Sequence, residues 1–145
     1  MESVIEIKNF SLSFKNHKRL TPAVQDINLT LKKGQTLGLV GESGSGKSVT
    51  SLAIMGLLPF PEAKVMSGEI LYQGKDLLKA TQKEFANIRG SKITMVFQEP
   101  MSSLNPVFSI GNQLMEPLRL HQKLSKKEAF EKAISLLEEV GLPDP

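Results

Sequence analysis

Gly41-Glu42-Ser43-Gly44-Ser45-Gly46-Lys47-Ser48 holds two glycines separated by four residues, followed by a lysine and a hydroxyl residue. That is the spacing of the phosphate-binding P-loop. A tight loop of this kind turns successive backbone N–H groups inward, and small residues let them close around a polyphosphate. Gly41, Gly44 and Gly46 supply that freedom. A helix opening directly behind the loop adds its unpaired N–H groups and the positive end of its dipole. In such a loop Lys47 would lie between the β- and γ-phosphates and the Ser48 hydroxyl would ligate Mg²⁺.

The chemistry needs a strand before the loop and a helix after it, and the flanking residues read that way. Thr36 to Val40 is a short apolar run bounded by turn residues, the pattern of a buried parallel strand. Val49 to Leu58 reads as a helix that Pro59 halts. Upstream, Ile5 and Ile7 alternate with charged residues, then Phe10, Leu12 and Phe14 alternate with serines; the change of phase predicts a bulge near Asn9. Ile27, Leu29 and Leu31 continue the alternating pattern before the turn Lys32-Lys33-Gly34-Gln35. Downstream, Ser67 to Gly74 reads as a strand and turn, and Thr81 to Glu84 as a capping box opening a helix that Gly90 ends. Ile93 to Phe97 has the look of a second buried strand.

The prolines and small polar residues of Gln98 to Pro106 predict a loop. Ile110, Leu114, Leu118 and His121 then mark one face of a helix that Pro117 should kink or interrupt. A second capping box at Ser125 and Glu128 opens a helix with the stripe Ala129, Ala133, Leu136, Leu137 and Val140, closed by Gly141 to Pro143. No internal repeat or linker interrupts the 145 residues.

Composition excludes several classes. The chain is 40% hydrophobic and 23% charged, an ordinary globular balance, with a net charge of +3 spread along its length. That dispersal argues against a nucleic-acid partner; Lys123, Lys126 and Lys127 read as a solvated face. The absence of cysteine excludes disulfides and thiolate metal sites and fits a reducing compartment. No apolar run approaches the roughly 20 residues of a membrane span, so work at a membrane would proceed from the cytosolic side through a partner. His17 and His121 stand without a companion motif. Met55, Met95, Met101 and Met115 read as core or groove fillers.

About 30 residues of apparent antiparallel sheet precede the P-loop, and no Asn-Lys-x-Asp run for guanine is present. Phe14, the loop from Gly41 to Ser48, Gln98 in Val96-Phe97-Gln98-Glu99-Pro100, and Ser103-Leu104-Asn105-Pro106 together resemble an ATP-binding-cassette (ABC) transporter ATPase. The long matches around Gly41 to Thr50 and Gln98 to Pro106 resemble the importers of oligopeptides, dipeptides and nickel. The resemblance implies an α/β P-loop (RecA-like) core with an N-terminal antiparallel β-subdomain, cut short within a helical subdomain. Residues 1–35 would be mostly antiparallel sheet, 36–100 the core to the Q-loop, and 101–145 the loop and the start of the helical part.

The same resemblance implies that ATP and Mg²⁺ are the cofactors. ATP would be held by Phe14, Gly41, Glu42, Ser43, Gly44, Ser45, Gly46, Lys47, Ser48 and Val49. Lys47 and Gln98 would be the catalytic residues, and Ser48 and Gln98 would face Mg²⁺. Phe14 would stack on adenine, the alternative being a phenylalanine that packs on its strand. Partners would be the permease transmembrane subunits, a second ATPase subunit of the same or another kind, and indirectly a substrate-binding protein. The place would be the cytoplasmic face of the inner membrane. Glu99 is not assigned as a catalytic base.

Three elements of that family pattern have no counterpart here. The chain holds no Leu-Ser-Gly-Gly-Gln-like signature, no apolar strand ending in Asp-Glu, and no histidine switch. Its only aspartates, Asp26, Asp76 and Asp144, follow Gln25, Lys75 and Pro143. The expectation is therefore an N-terminal fragment of an ATPase subunit, with Thr36 to Val40 and Ile93 to Phe97 lacking the strand that would join them. The alternative is a nucleotide-binding or assembly module that docks on a permease or a complete ATPase without turnover.

Overall fold

The computed structural model describes residues 2–17, 19–98 and 103–145. They fall into two compact units, Met1–Ala86 and Asn87–Pro145, each with its own small core.

The first unit is built on a four-stranded antiparallel sheet in the order β2-β1-β3-β4. Strands β1 (Ser3–Asn16) and β2 (Arg19–Lys32) form a long hairpin, and β3 (Ala63–Tyr72) pairs with the other side of β1. The short β4 (Lys75–Asp76) completes the order. Alternation in β1 buries Ile5, Ile7, Phe10 and Leu12, which with Ala63 and Ile70 of β3 make the core. The bulge expected near Asn9 is present: Asn9 takes a φ of 49° and the pairing shifts register between Ile7 and Phe10. Gly68 of β3 lies against it, so closely that a Cβ there would sit 2.4 Å from the Lys8 carbonyl oxygen. Pro22 is tolerated in β2 because this strand is an edge and owes no N–H to a further neighbour.

Helix α1 (Lys47–Ile54) follows the P-loop. It ends four residues earlier than its apolar run predicts: Gly56 takes a φ of 62° and the Leu57 N–H reaches back to the Leu52 carbonyl. The left-handed glycine, not Pro59, is the stop. Strand β3 also starts at Ala63, earlier than the expected Ser67. The capping box at the next helix, α2 (Gln82–Ile88), is formed: the Thr81 N–H donates to Glu84 at 2.7 Å and the Glu84 N–H donates to the Thr81 hydroxyl at 3.3 Å. The Lys75 ammonium, followed by the Thr81 backbone and hydroxyl, pulls the Glu84 carboxyl down to about 2.

Two expected strands are absent. Thr36 to Val40 takes no regular structure and pairs with no described strand, leaving Val40 97% and Leu39 48% exposed. Ile93 to Phe97 makes one isolated bridge, Ile93 to Arg89, and Val96 is 96% exposed. A β-strand is stabilised by its neighbours, and an apolar run without a hydrogen-bonding partner among the described residues gains nothing by being apolar.

The second unit is the pair α3 (Ile110–Gln122) and α4 (Lys126–Glu139). Met115, Leu118, Ala129 and Ala133 form its core, with Leu114 and Leu124 packed around them. Helix α3 runs through Pro117 without interruption, and Ile110, expected on the buried face, is exposed while Met115 takes its place. A strict four-residue spacing drifts off a 3.6-residue face, and Met115 restores the match. On α4 the Ser125–Glu128 capping box is complete, while Leu136 and Val140 of the expected stripe are exposed. Of the loop predicted from Gln98 to Pro106, residues Glu99, Pro100, Met101 and Ser102 lie outside the described residues.

Candidate functional site

The glycine-rich loop stands at the N-terminus of α1, where Gly46 is the capping residue with a φ of 91°. Gly44 is also left-handed, at 80°. Position 46 could hold no other residue in this arrangement, because a Cβ would lie 2.2 Å from Val24 Cγ1 and 2.9 Å from the Ala23 carbonyl oxygen. The loop is thus pressed against β2, and only a bare Cα permits the approach. Inside α1, Thr50 is buried and its hydroxyl donates to the Gly46 carbonyl at 2.9 Å, tying the turn to the helix.

Lys47 folds back across the loop. Its ammonium donates to the carbonyls of Gly41 and Glu42, both at 2.7 Å, and to the Ser45 hydroxyl at 3.2 Å. Three donors on a compact cation are thereby matched to three acceptors, and the loop is closed by its own lysine. The Ser45 N–H donates to the Glu42 carbonyl at 3.2 Å, adding a turn within the octet.

Phe14 comes into the same place. With Ala23, Gly44, Ser45, Gly46, Lys47, Ser48 and Val49 it lines one hollow of about 260 Å³. The hairpin does this, because Phe14 pairs with Thr21 of β2, two residues from Ala23. The lining of the hollow thus combines an aromatic ring, Ala23 and Val49 with a helix N-terminus that carries a lysine and two hydroxyls. Gly41 lines a neighbouring hollow with Leu39, Val40 and Ile27. Glu42 and Ser43 are exposed on the loop. Gln98 belongs to the other unit, in an exposed irregular stretch.

Ala23, Val24 and Thr50 shape this site and carried no chemical signal in the sequence. Only the antiparallel register, which sets Val24 opposite Leu12 and Thr21 opposite Phe14, shows that β2 is the wall of the loop. A group of three or more histidines, cysteines or carboxylates able to hold a metal does not occur among the described residues. The hollow does offer the exposed Ser48 hydroxyl beside Lys47, a donor set that fits a cation arriving with a polyphosphate better than one bound by the protein alone.

A glycine-rich loop closed by its own lysine at the N-terminus of a helix defines a P-loop protein. The chain belongs to the ABC transporter family, whose model matches residues 24–145. It is 49% identical over 142 residues to the oligopeptide transport ATP-binding protein OppD of Bacillus subtilis, covering 98% of this chain and 40% of that protein. It is 48% identical over 145 residues to the dipeptide transport ATP-binding protein DppD of the same organism, covering 43% of it. Among solved structures it is similar to the dimeric post-hydrolysis state of the ATP-binding cassette MJ0796 bound to ADP and Pi, with a TM-score of 0.78 at 26% identity over 92% of this chain and 56% of that one. The chain thus spans less than half the length of the curated relatives it matches.

Proposed function

We propose that this chain is the nucleotide-binding part of an ATPase subunit that drives uptake of peptides through a membrane permease. The observation that carries the reading is the single hollow that joins Phe14 to Gly44 through Val49. An aromatic face in the lining suits a purine ring, and a helix N-terminus with Lys47 suits a triphosphate. Peptide import is supported by the names of the relatives, at 49% and 48% identity over nearly the whole chain. A nickel cargo, the other expectation, has no counterpart in those two names.

Each residue then has a task. Gly41, Glu42, Ser43, Gly44, Ser45 and Gly46 wrap the phosphates with backbone N–H groups, and Val49 and Phe14 enclose the nucleoside. Lys47 exchanges its bonds to Gly41 and Glu42 for phosphate oxygens, so that one internal set of charge-assisted bonds replaces another. Ser48 would hold Mg²⁺, which supplies charge neutralisation on the phosphates. Gln98 would turn its amide toward the metal and the attacking water. No carboxylate is among the described residues lining the hollow, so binding is the step assigned to this chain by its own residues. Partners in this reading are the permease subunits and a second ATPase subunit, at the cytoplasmic face of the membrane. No helix among the described residues is long and apolar enough to cross a membrane.

The experiment is an equilibrium titration with Mg-ATP. Lys47→Ala is expected to weaken binding by about tenfold or more, the worth of one charge-assisted hydrogen bond. Equal affinity in the variant and the parent chain would sink the reading.

A further inference from the structure

No side chain caps α1, because the capping position is held by Gly46. The leading N–H groups of a helix have no partner within it, and here they belong to Lys47, Ser48 and Val49, all of which line the hollow. How they are aimed depends on how firmly the turn at Gly46 is held. A residue without a Cβ has the widest backbone freedom, and Gly46 uses it to take a φ of 91°. The restraint comes from Thr50. The Gly46 carbonyl accepts from the Thr50 N–H at 2.9 Å and from the Thr50 hydroxyl at 2.9 Å, so one residue occupies both of its acceptor positions. The Gly46 carbonyl and the Lys47 N–H share one planar trans peptide and point in opposite directions. Fixing the carbonyl along the helix therefore fixes the Lys47 N–H outward from its N-terminus. Thr50 itself is 4% exposed and is absent from the lining of the Phe14 hollow; it lines the neighbouring one with Ile27, Leu39 and Val40.

A threonine within a helix often bonds the carbonyl four residues back with little consequence. This one differs in its acceptor, which is the carbonyl of the left-handed capping glycine, and the peptide it holds carries the first free donor of the helix. We propose that Thr50 is a positioning residue for the phosphates, acting through the Gly46–Lys47 peptide and not by touching the nucleotide. The inference rests on the nucleotide-binding reading above and adds to the loop a residue that lies outside its octet. A donor fixed before the anion arrives avoids the ordering cost that a loose one would incur on binding.

The test compares Thr50→Val and Thr50→Ser with the parent in the full-length subunit, by equilibrium titration with Mg-ATP and by thermal melting without nucleotide. Thr50→Val keeps the branched shape and removes the hydroxyl, and the Gly46 carbonyl retains its backbone bond, so no buried acceptor is left empty. Its melting midpoint is expected to stay within about 3 °C of the parent while Mg-ATP affinity falls by about threefold to tenfold, the effect of one neutral hydrogen bond. Thr50→Ser keeps the hydroxyl and loses a buried methyl group. Its affinity is expected to lie within about twofold of the parent, and its melting midpoint below that of Thr50→Val. Binding and stability thus rank the two variants in opposite order, which a packing role for Thr50 does not produce. Affinity that follows the melting order, or Mg-ATP affinity equal to the parent in Thr50→Val, would overturn the positioning role. A parent subunit without saturable Mg-ATP binding would instead overturn the nucleotide-binding reading on which it stands.

Discussion

The hairpin β1–β2 and the segments 36–40 and 93–97 are made of similar residues and reach opposite ends. Ile5, Ile7, Phe10 and Leu12 are buried in a sheet, while Val40 and Val96, no less apolar, are almost fully exposed. The difference is in where each finds its partner. Strand β1 meets β2 across a short turn and β3 on its other side, both antiparallel, so local chain reversal completes the ladder. A parallel strand needs a neighbour delivered by a crossover, and the described residues bring none to either segment. Apolar composition marks a strand's eligibility for a core, and backbone pairing decides whether it enters one.

Mutations at the two kinds of region should break in proportion. Phe10 is fully buried at the centre of the sheet, and Phe10→Ala is expected to remove about 3–5 kcal/mol by denaturant unfolding of the first unit. A loss below about 1 kcal/mol would show that the sheet is no better packed than the two free segments. Gly46→Ala places a Cβ against Val24 at a φ of 91° and is expected to cost about 1–3 kcal/mol and to lower Mg-ATP affinity with it. Equal melting and equal affinity would mean that the loop does not rest on β2.

A smaller effect should follow from Glu84. Its carboxyl is pulled down to about 2 by Lys75 and Thr81, so the stability it contributes is fully present above the unfolded value of about 4.3 and disappears as pH falls through about 2. Unfolding midpoints of the parent and Glu84→Gln should therefore differ at neutral pH and converge between those values. A constant gap down to pH 2 would place the stabilisation elsewhere. The smallest effect belongs to Val96→Thr, expected to lie within about 0.5 kcal/mol of the parent because the side chain packs on little. A loss above about 1 kcal/mol would show that segment 93–97 has a partner in solution and would dissolve the contrast.

Local rules were legible along the chain. Both capping boxes and the bulge at Asn9 formed where the residue pattern placed them, since each depends on groups within a few positions of one another. The end of α1 was misplaced because a left-handed glycine competes with a more distant proline. The start of β3 was missed because Ala63 to Met66 carry no clear alternation, and the pairing of Ala63 to Val65 with Phe14 to Leu12 supplies the order instead. Gln113 reads as an ordinary polar helix residue until its amide is seen to hydrogen-bond the backbone of Asn105 in the turn before α3.

From the sequence alone came the phosphate-loop chemistry, the family resemblance, and the elements whose hydrogen bonds close locally. Tertiary structure decided that Phe14 and the loop line one hollow, because that depends on the register of a hairpin. It decided that position 46 must be glycine, because that depends on how closely β2 approaches. It also decided that two apolar runs remain outside a sheet, because strand formation is a property of pairs and a single segment carries only half of it.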